Sequence, residues 1–450
     1  MEKLTTSEIA KALNGTYNID TEITGVCIDT RKITQGCLFV CIKGERFDAH
    51  AFVEEAIEKG AAAVMVHKEL NIDAPYVLVK DTTDALLDLG GYYRSKFDIP
   101  VVALTGSVGK TTTKEFTHLV VSAKYNAIKT QGNLNNNIGL PQMLFQIENS
   151  VEAAVIEMGM NHFGEIDKLV RATKPTVGLI TNIGVSHIEN LGSRDGILKA
   201  KLEIMHGLKK GAPLILNGDD DKLSTVRSDE FNICFYGINN GDFRAKNIEY
   251  SENSTSFDVE YFGKVQSVTI PTIGVHNVYN ALAAFAVGYF LEVEPQKAAD
   301  ALKKYVPAGM RQKVVKVGDI TSIEDCYNAS PDSMRASLKT LADTKGNKKI
   351  AVLADMLELG DYSKEAHSSV GKMVADNKID YLLAFGTDAK YYVSEAISNG
   401  CSHAKFFDSK ETLTDELLNT AEPGDVVMFK GSRGMKLEDV INSVYKRWEK

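Results

Sequence analysis

One glycine-rich string of the 450-residue chain has the residue types and spacing to hold phosphate: Val101-Val-Ala-Leu-Thr-Gly-Ser-Val-Gly-Lys-Thr-Thr-Thr113. An apolar run empties into a turn, and Gly109-Lys110-Thr111 opens a helix. Backbone N–H groups of such a turn, with the dipole of the helix behind them, form a nest for anions. Lys110 is placed to neutralise β- and γ-phosphates, and the Thr111 hydroxyl to ligate Mg²⁺. The spacing departs from the standard phosphate loop, because Leu104 stands where the first glycine belongs and Thr105-Gly106 begins the turn. Thr105, Gly106, Ser107, Val108, Gly109, Lys110, Thr111 and Thr112 are the candidate nucleotide-phosphate residues.

Two further residues close apolar runs downstream. Glu157 ends Ala-Ala-Val-Ile-Glu, and His187 follows Thr181-Asn-Ile-Gly. In a doubly wound sheet the carboxyl ends of adjacent strands face one crevice, so both could reach a metal beside the phosphate loop. Read singly, each is equally a strand-end carboxylate in solvent or a turn histidine. Lys199 and Lys201 lie on a helix near Asp195 and Glu203, where two lysines ordinarily mean a solvated face.

These residues need elements to position them. Residues 1–80 alternate short strands (38–42, 63–66, 76–79) with a helix over 51–59 and predict a small N-terminal α/β domain. From Pro100, repeated strand–turn–helix units predict a doubly wound central domain of the phosphate-loop ATPase type over 81–308, with antiparallel hairpins between Arg244 and Ile270 and a buried helix over 278–291. A break at Val306-Pro-Ala-Gly-Met-Arg311 precedes a third unit, 309–450, whose alternating strands and amphipathic helices (364–376, 412–420) predict a Rossmann-like sheet. The fold class is α/β in three domains, matching the count expected from length at about 150 residues each.

Composition narrows the classes. With 51 Lys and Arg against 60 Asp and Glu, the net charge of −9 excludes a protein that coats nucleic acid. The six cysteines form no C-x-x-C pair and suggest free thiols in a reducing compartment. The start, Met-Glu-Lys-Leu-Thr-Thr-Ser, lacks a signal-peptide pattern, and the apolar run 281–291 is too short to span a bilayer. A cytoplasmic monomer with no transmembrane segment is expected.

Taken in order, Thr105-Gly-Ser-Val-Gly-Lys-Thr-Thr, Glu157-Met-Gly, Thr181-Asn-Ile-Gly with His187, Ala200-Lys201 and Gly274-Val-His-Asn-Val-Tyr-Asn-Ala resemble the Mur ligases of peptidoglycan synthesis. Further strings resemble the D-alanyl-D-alanine-adding branch of that family. They are Gln131-Gly-Asn-Leu-Asn-Asn-Asn-Ile-Gly-Leu-Pro141, Asp325-Cys-Tyr-Asn-Ala-Ser-Pro-Asp-Ser-Met334, Val352-Leu-Ala-Asp-Met-Leu-Glu-Leu-Gly360 with His367, and Lys430-Gly-Ser-Arg433. Asp29-Thr-Arg31 and Lys43-Gly-Glu-Arg-Phe-Asp-Ala-His50 resemble its uridine-nucleotide site.

The resemblance implies roles. Lys110, Glu157, His187 and Lys201 would be catalytic. Thr111, Glu157, His187 and a carbamylated Lys201 would hold two Mg²⁺ ions. Asn277, Asn280, Arg311, Asp325 and Asn328, with His276 beside them, would contact ATP. Asp29, Thr30, Arg31, Lys43, Phe47, His50, Asn133, Asn135 and Asn136 would bind UDP-N-acetylmuramoyl-tripeptide, and Asn328, Ser330, Asp355, Glu358, Lys430 and Arg433 the dipeptide D-alanyl-D-alanine. The implied reaction is ATP-dependent amide formation through an acyl phosphate, with the third domain closing over the nucleotide. A small-molecule kinase, a folylpolyglutamate-synthase-like ligase and a non-catalytic nucleotide switch stay open as rivals.

Overall fold

The computed structural model describes residues 1–44, 47–70, 73–251, 253–307 and 309–449. Glu45 and Arg46 of the Lys43–His50 string, and Ala308 of the joint before Arg311, lie outside the described residues.

The N-terminal sheet has the order Thr16–Tyr17, Tyr76–Leu78, Ala63–Val66, Cys37–Val40, Gly25–Cys27, with the last four strands parallel. Cys37–Val40 and Ala63–Val66 are uninterrupted apolar runs and are buried throughout, as strands covered on both faces must be. The expected helix over 51–59 is a 3₁₀ turn, Ala49–Phe52, running into a short helix, Val53–Glu58. Asp48 starts that turn by accepting the His50 N–H.

A helix that periodicity did not bring out, Thr82–Arg94, ties this domain to the next. Asp81 caps it by accepting the N–H groups of Thr83 and Asp84. Gly90 and Gly91 let neighbours come close: a Cβ on Gly90 would lie 2.8 Å from Pro141, and one on Gly91 3.0 Å from Ala172. One continuous apolar core, including Leu38, Met65, Leu86, Leu89, Leu140, Ile156 and Leu169, therefore runs from the first sheet into the second domain.

The central sheet has nine strands in the order Lys264–Ile270, Thr255–Tyr261, Phe243–Tyr250, Asn232–Gly237, Pro213–Asn217, Val177–Ile180, Val101–Thr105, Ala153–Glu157, Ala127–Lys129. The hairpins after residue 243 are not a separate layer: they extend the parallel sheet with two antiparallel strands. Val101–Thr105 lies between Ala153–Glu157 and Val177–Ile180, so the carboxyl ends that carry the phosphate loop, Glu157 and Thr181 are neighbours. The buried helix Val275–Phe290 packs along the phosphate-loop helix Lys110–Ser122, with Gly288 against Val120.

The third sheet runs Lys313–Val317, Ile320–Glu324, Val426–Lys430, Lys349–Ala354, Tyr381–Phe385, His403–Phe407, its first pair antiparallel and the rest parallel. Val426–Lys430 returns between two earlier strands, which sets Asp325, Lys430 and Asp355 at three adjacent carboxyl ends. Among the described residues no helix is long and apolar enough to cross a membrane.

Candidate active site

The phosphate loop is pinned from the adjacent strand end. Asn182 holds Val108 from both sides, accepting its N–H (2.9 Å) and donating to its carbonyl (3.0 Å), and Thr181 Oγ1 donates to the same carbonyl (2.7 Å). Ser107 N–H donates to the Asn182 carbonyl, and Ser107 Oγ accepts the Gly184 N–H. Thr105 Oγ1 donates to the Met158 carbonyl. Gly106 faces Thr181 so closely that a Cβ would lie 1.8 Å from its hydroxyl, and Gly109 opens the helix at φ 82°. Lys110 folds over the loop and donates to the Gly106 (2.8 Å) and Ser107 (3.3 Å) carbonyls, positions that a phosphate oxygen would replace. Burial lowers its pKa, which the Glu157 carboxylate partly restores.

Glu157 is buried and fully engaged. It accepts from Thr111 Oγ1 (3.0 Å) on one oxygen and from Asn135 Nδ2 (2.9 Å) on the other, with the buried Lys114 ammonium 3.8 Å away. His187 adopts φ 63°, and its buried Nδ1 has no hydrogen-bond partner among the described residues. Burial, then the charges of Lys110 and Lys201, push its pKa down to about 4, so the ring is a neutral imidazole. Lys201 is buried behind this wall, with no acidic partner within 4 Å among the described residues. Burial first, then Lys110, depress its pKa well below the usual lysine range. Lys199 by contrast is exposed, over the Phe163 ring.

Ser107 to Thr112, Glu157, Thr181, Asn182 and His187 line one cavity of about 580 Å³ whose far wall belongs to the third domain, while the expected ligand Lys201 does not reach its surface. Thr112, Asn133, Asn135, Asn136, Asn277, Asn280, Arg311, Asp325, Asn328, Ser330 and Lys430 all reach it. Asn280 accepts from Thr113 at the loop helix, and Asn277 anchors its own helix to Thr272 and Ile273. Asn136 caps the helix Gly139–Leu144 through the Gly139 N–H. Across the cavity, Lys430 Nζ donates to Asp325 Oδ2 (2.7 Å) and to the Asn328 carbonyl, while Ser337 holds the same Asp325 oxygen. Arg311 stacks over Tyr327 at 3.8 Å. Ser330 caps the helix Pro331–Asp343 in a reciprocal box with Ser333.

Contacts between the second and third domains hold the walls together. Asp332 accepts the Val185 N–H, in space that a side chain at Gly184 would fill. His276 Nε2 meets Gln312 Oε1 at 2.7 Å.

Three expected residues are elsewhere. Asp355, expected at the dipeptide, lies outside the cavity lining and turns its carboxylate onto the N–H groups of Thr387 and Asp388, against Gly386, where it satisfies the donors of the neighbouring loop. Arg433 points outward and pairs with Glu438 at 3.2 Å. Glu358 lies outside the cavity lining, mostly exposed, with Oε2 3.4 Å from His187 Nδ1.

The other expected substrate residues form a second locus at the carboxyl rim of the N-terminal sheet. Asp29 accepts from the Arg31 backbone and guanidinium, leaving the guanidinium mostly exposed. Thr30 offers its carbonyl to Lys59, and the backbone of Lys43 pairs with that of Asp48 in an isolated antiparallel β-bridge. Phe47 is exposed and stacks on Phe52 at 5.0 Å. His50 is not free to grip a ligand: its Nδ1 lies 2.5 Å from Asp48 and its Nε2 accepts the His67 N–H. His67 and Lys68, at the end of Ala63–Val66, join this rim without any signal but their place after an apolar run. In the central site, the loop-shaping role of Asn182, the Lys114 charge beneath Glu157 and the Asp332 contact were likewise unassigned. Only Lys114 had a local sign, four residues after Lys110 on the same helix face.

A phosphate loop at a sheet switch point, a buried acidic and imidazole wall, and a third domain closing the same cavity define a three-domain nucleotide-dependent enzyme. The family models agree: one described as the Mur ligase family catalytic domain matches residues 22–90, the Mur ligase middle domain matches 104–288, and the Mur ligase glutamate ligase domain matches 310–433. The chain is 39% identical to the UDP-N-acetylmuramoyl-tripeptide–D-alanyl-D-alanine ligase of Bacillus subtilis (strain 168), over 99% of each chain. The fold superposes with a TM-score of 0.94 on a crystal structure of MurF from Acinetobacter baumannii, 33% identical over 99% of each chain. It also superposes, at 0.86 and 30% identity, on MurF ligase from Thermotoga maritima in complex with ADP, covering 94% of this chain and 97% of that one. This chain belongs to the Mur ligase family.

Proposed function

We propose that the chain is an ATP-dependent ligase that joins D-alanyl-D-alanine to UDP-N-acetylmuramoyl-tripeptide, a step of peptidoglycan synthesis. The observation that carries this reading is the shared cavity, where the phosphate loop of one domain faces the Asp325–Lys430 pair of another and the Asn133–Asn136 loop enters between them. The Bacillus subtilis relative, named for this reaction and matched over 99% of the chain, supplies the substrate class.

The tripeptide carboxylate attacks the γ-phosphorus. An O–P bond forms, the bond to the β-bridging oxygen breaks, and ADP leaves. The dipeptide amine then attacks the acyl-phosphate carbonyl, the C–N bond forms, phosphate departs and the amine proton is released. Lys110 follows the charge of the transferred phosphoryl group, and the loop N–H groups hold it in line. The third domain excludes water from the acyl phosphate.

The residues fit Mg²⁺, which keeps most of its water and takes one or two carboxylates beside the phosphates: Glu157 is a buried carboxylate next to the Thr111 hydroxyl, and the His187 imidazole lines the same cavity. When bound, the ion neutralises phosphate charge. Lys201 suits carbamylation, because a lysine held neutral by burial adds CO₂ to give a carbamate and a proton, supplying an anionic ligand for a second ion. The rim of Asp29, Arg31 and Lys43 would take the uridine diphosphate. The six free thiols suit a reducing, cytoplasmic compartment.

The test is phosphate release with ATP, UDP-N-acetylmuramoyl-tripeptide carrying L-lysine or diaminopimelate, and D-alanyl-D-alanine. Release that requires all three, with an acyl phosphate trapped by hydroxylamine, is expected. Release indifferent to the dipeptide overturns the reading. Lys201→Ala should be inactive and regain activity with short carboxylates, while Lys199→Ala stays active.

A further inference from the structure

Resting on the reading of His187 as a cation ligand, we infer that Glu358 is a positioning residue. It crosses from the third domain to fix the His187 ring, so that the ligand set is completed only when that domain docks. An imidazole that binds a cation through one nitrogen needs the N–H of the other held by an acceptor, which sets tautomer and orientation. His187 has none: among the described residues its buried Nδ1 makes no hydrogen bond. Glu358 Oε2, 3.4 Å from that atom, is the acceptor at hand, and its side chain is otherwise 71% exposed.

The loop that carries Glu358 is built to aim it. Glu358 holds φ 63°, a conformation that costs a non-glycine residue and persists only when its surroundings fix it. They do so on both sides. The Met356 N–H donates to His367 Nε2 (3.1 Å), and the Leu357 N–H to Ser432 Oγ (2.9 Å). Ser432 returns its own N–H to the Asp355 carbonyl, and the Asp355 carboxylate is clamped as described. His367 is itself locked, donating from Nδ1 to the Ser363 carbonyl at 2.8 Å. On the far side, a Cβ on Gly360 would lie 3.0 Å from Glu189, so the loop rests on the helix Ile188–Leu191 that His187 opens. The 352–360 string, His367 and the 430–433 string are thus one frame whose projecting charge meets His187. This accounts for motifs that touch neither nucleotide nor phosphate loop. With Nδ1–H given to Glu358, Nε2 is left as the free lone pair.

The test uses the full chain with a non-hydrolysable ATP analogue, the uridine substrate and Mn²⁺ as probe. Mn²⁺ affinity is read by electron paramagnetic resonance, and the His187 tautomer by ring ¹⁵N shifts in the diamagnetic Mg²⁺ sample. Glu358→Ala is expected to weaken Mn²⁺ about tenfold and to lose the Nδ1–H signature. Glu358→Gln, which keeps an acceptor oxygen, should lose less. His187→Ala should weaken Mn²⁺ as much or more, and Glu358→Ala added to it should change nothing further. If His187→Ala weakens Mn²⁺ and Glu358→Ala does not, the positioning role falls and the cation reading stands. If neither moves it, both fall. A Glu358→Ala enzyme altered only in KM for D-alanyl-D-alanine would instead return Glu358 to the dipeptide site.

Discussion

Replacing Gly106 by alanine tests the phosphate loop with a single methyl group. The new Cβ would lie 1.8 Å from Thr181 Oγ1, where an ordinary contact needs 3.4 Å, so about 1.6 Å must be recovered. Rotating the hydroxyl does not suffice, because Thr181 Cβ and N lie 3.0 and 3.2 Å from the same point. The hydroxyl also holds the Val108 carbonyl, so the displacement passes into the loop. Overpacking of this kind costs about 1–3 kcal/mol. A loop moved by about 1 Å loses on the order of a hundredfold in turnover, since in-line transfer depends on placement. Steady-state phosphate release gives the turnover, and equilibrium binding of an ATP analogue gives the affinity. Adding Thr181→Ala removes the worst contact but also the hydroxyl that holds the Val108 carbonyl, and leaves alanine at φ 156°, so the double variant should recover only part of the loss of Gly106→Ala. Wild-type turnover in Gly106→Ala, or no recovery in the double variant, refutes the steric reasoning.

Lys110→Ala should lower turnover at least about a hundredfold, the worth of a preorganised donor at a developing charge, and near-normal phosphate release would exclude its role. Lys430→Met leaves the buried Asp325 carboxylate without its cation; about 3–5 kcal/mol of local stability should be lost, seen as faster hydrogen exchange in the strand Ile320–Glu324. Asp325→Asn combined with it should restore part of that protection. Burial, then Lys129, push the His118 pKa from 6.5 down to about 4. The unfolded chain therefore takes up a proton between those values while the fold does not, and stability falls as pH drops through that window. His118→Gln should show a smaller drop in unfolding temperature between pH 7 and pH 5, and an unchanged slope would count against the burial argument.

What could be read from the chain was what lies contiguous along it. The phosphate loop showed because strand, nest and helix follow one another within thirteen residues, Val101 to Thr113. The grip of Asn182 on Val108 spans 74 positions and the Asp332 contact with Val185 spans 147, so no local pattern announces either. Asp355 misled because a strand-end carboxylate looks the same whether it meets a ligand or, as here, the N–H groups of the next loop. The helix Thr82–Arg94 was missed for a related reason: two glycines and two tyrosines blur its apolar period, and their purpose is visible only once the neighbouring helices are in place.

The core that this helix makes continuous has a metrical consequence. The sheet that carries the rim at Asp29 and the sheet that carries the loop at Lys110 share this core, so a ligand held at the rim, as proposed, would reach the loop across a span set by their packing. An arm anchored at the rim must then have the right length for its carboxylate to arrive at the phosphorus. Each extended residue adds about 3.5 Å, as much as a whole reactive contact distance. A chain one residue too short stops outside bonding range however tightly its far end is held. With the uridine end held at the rim as proposed, the packing of the two domains would act as a gauge of peptide length.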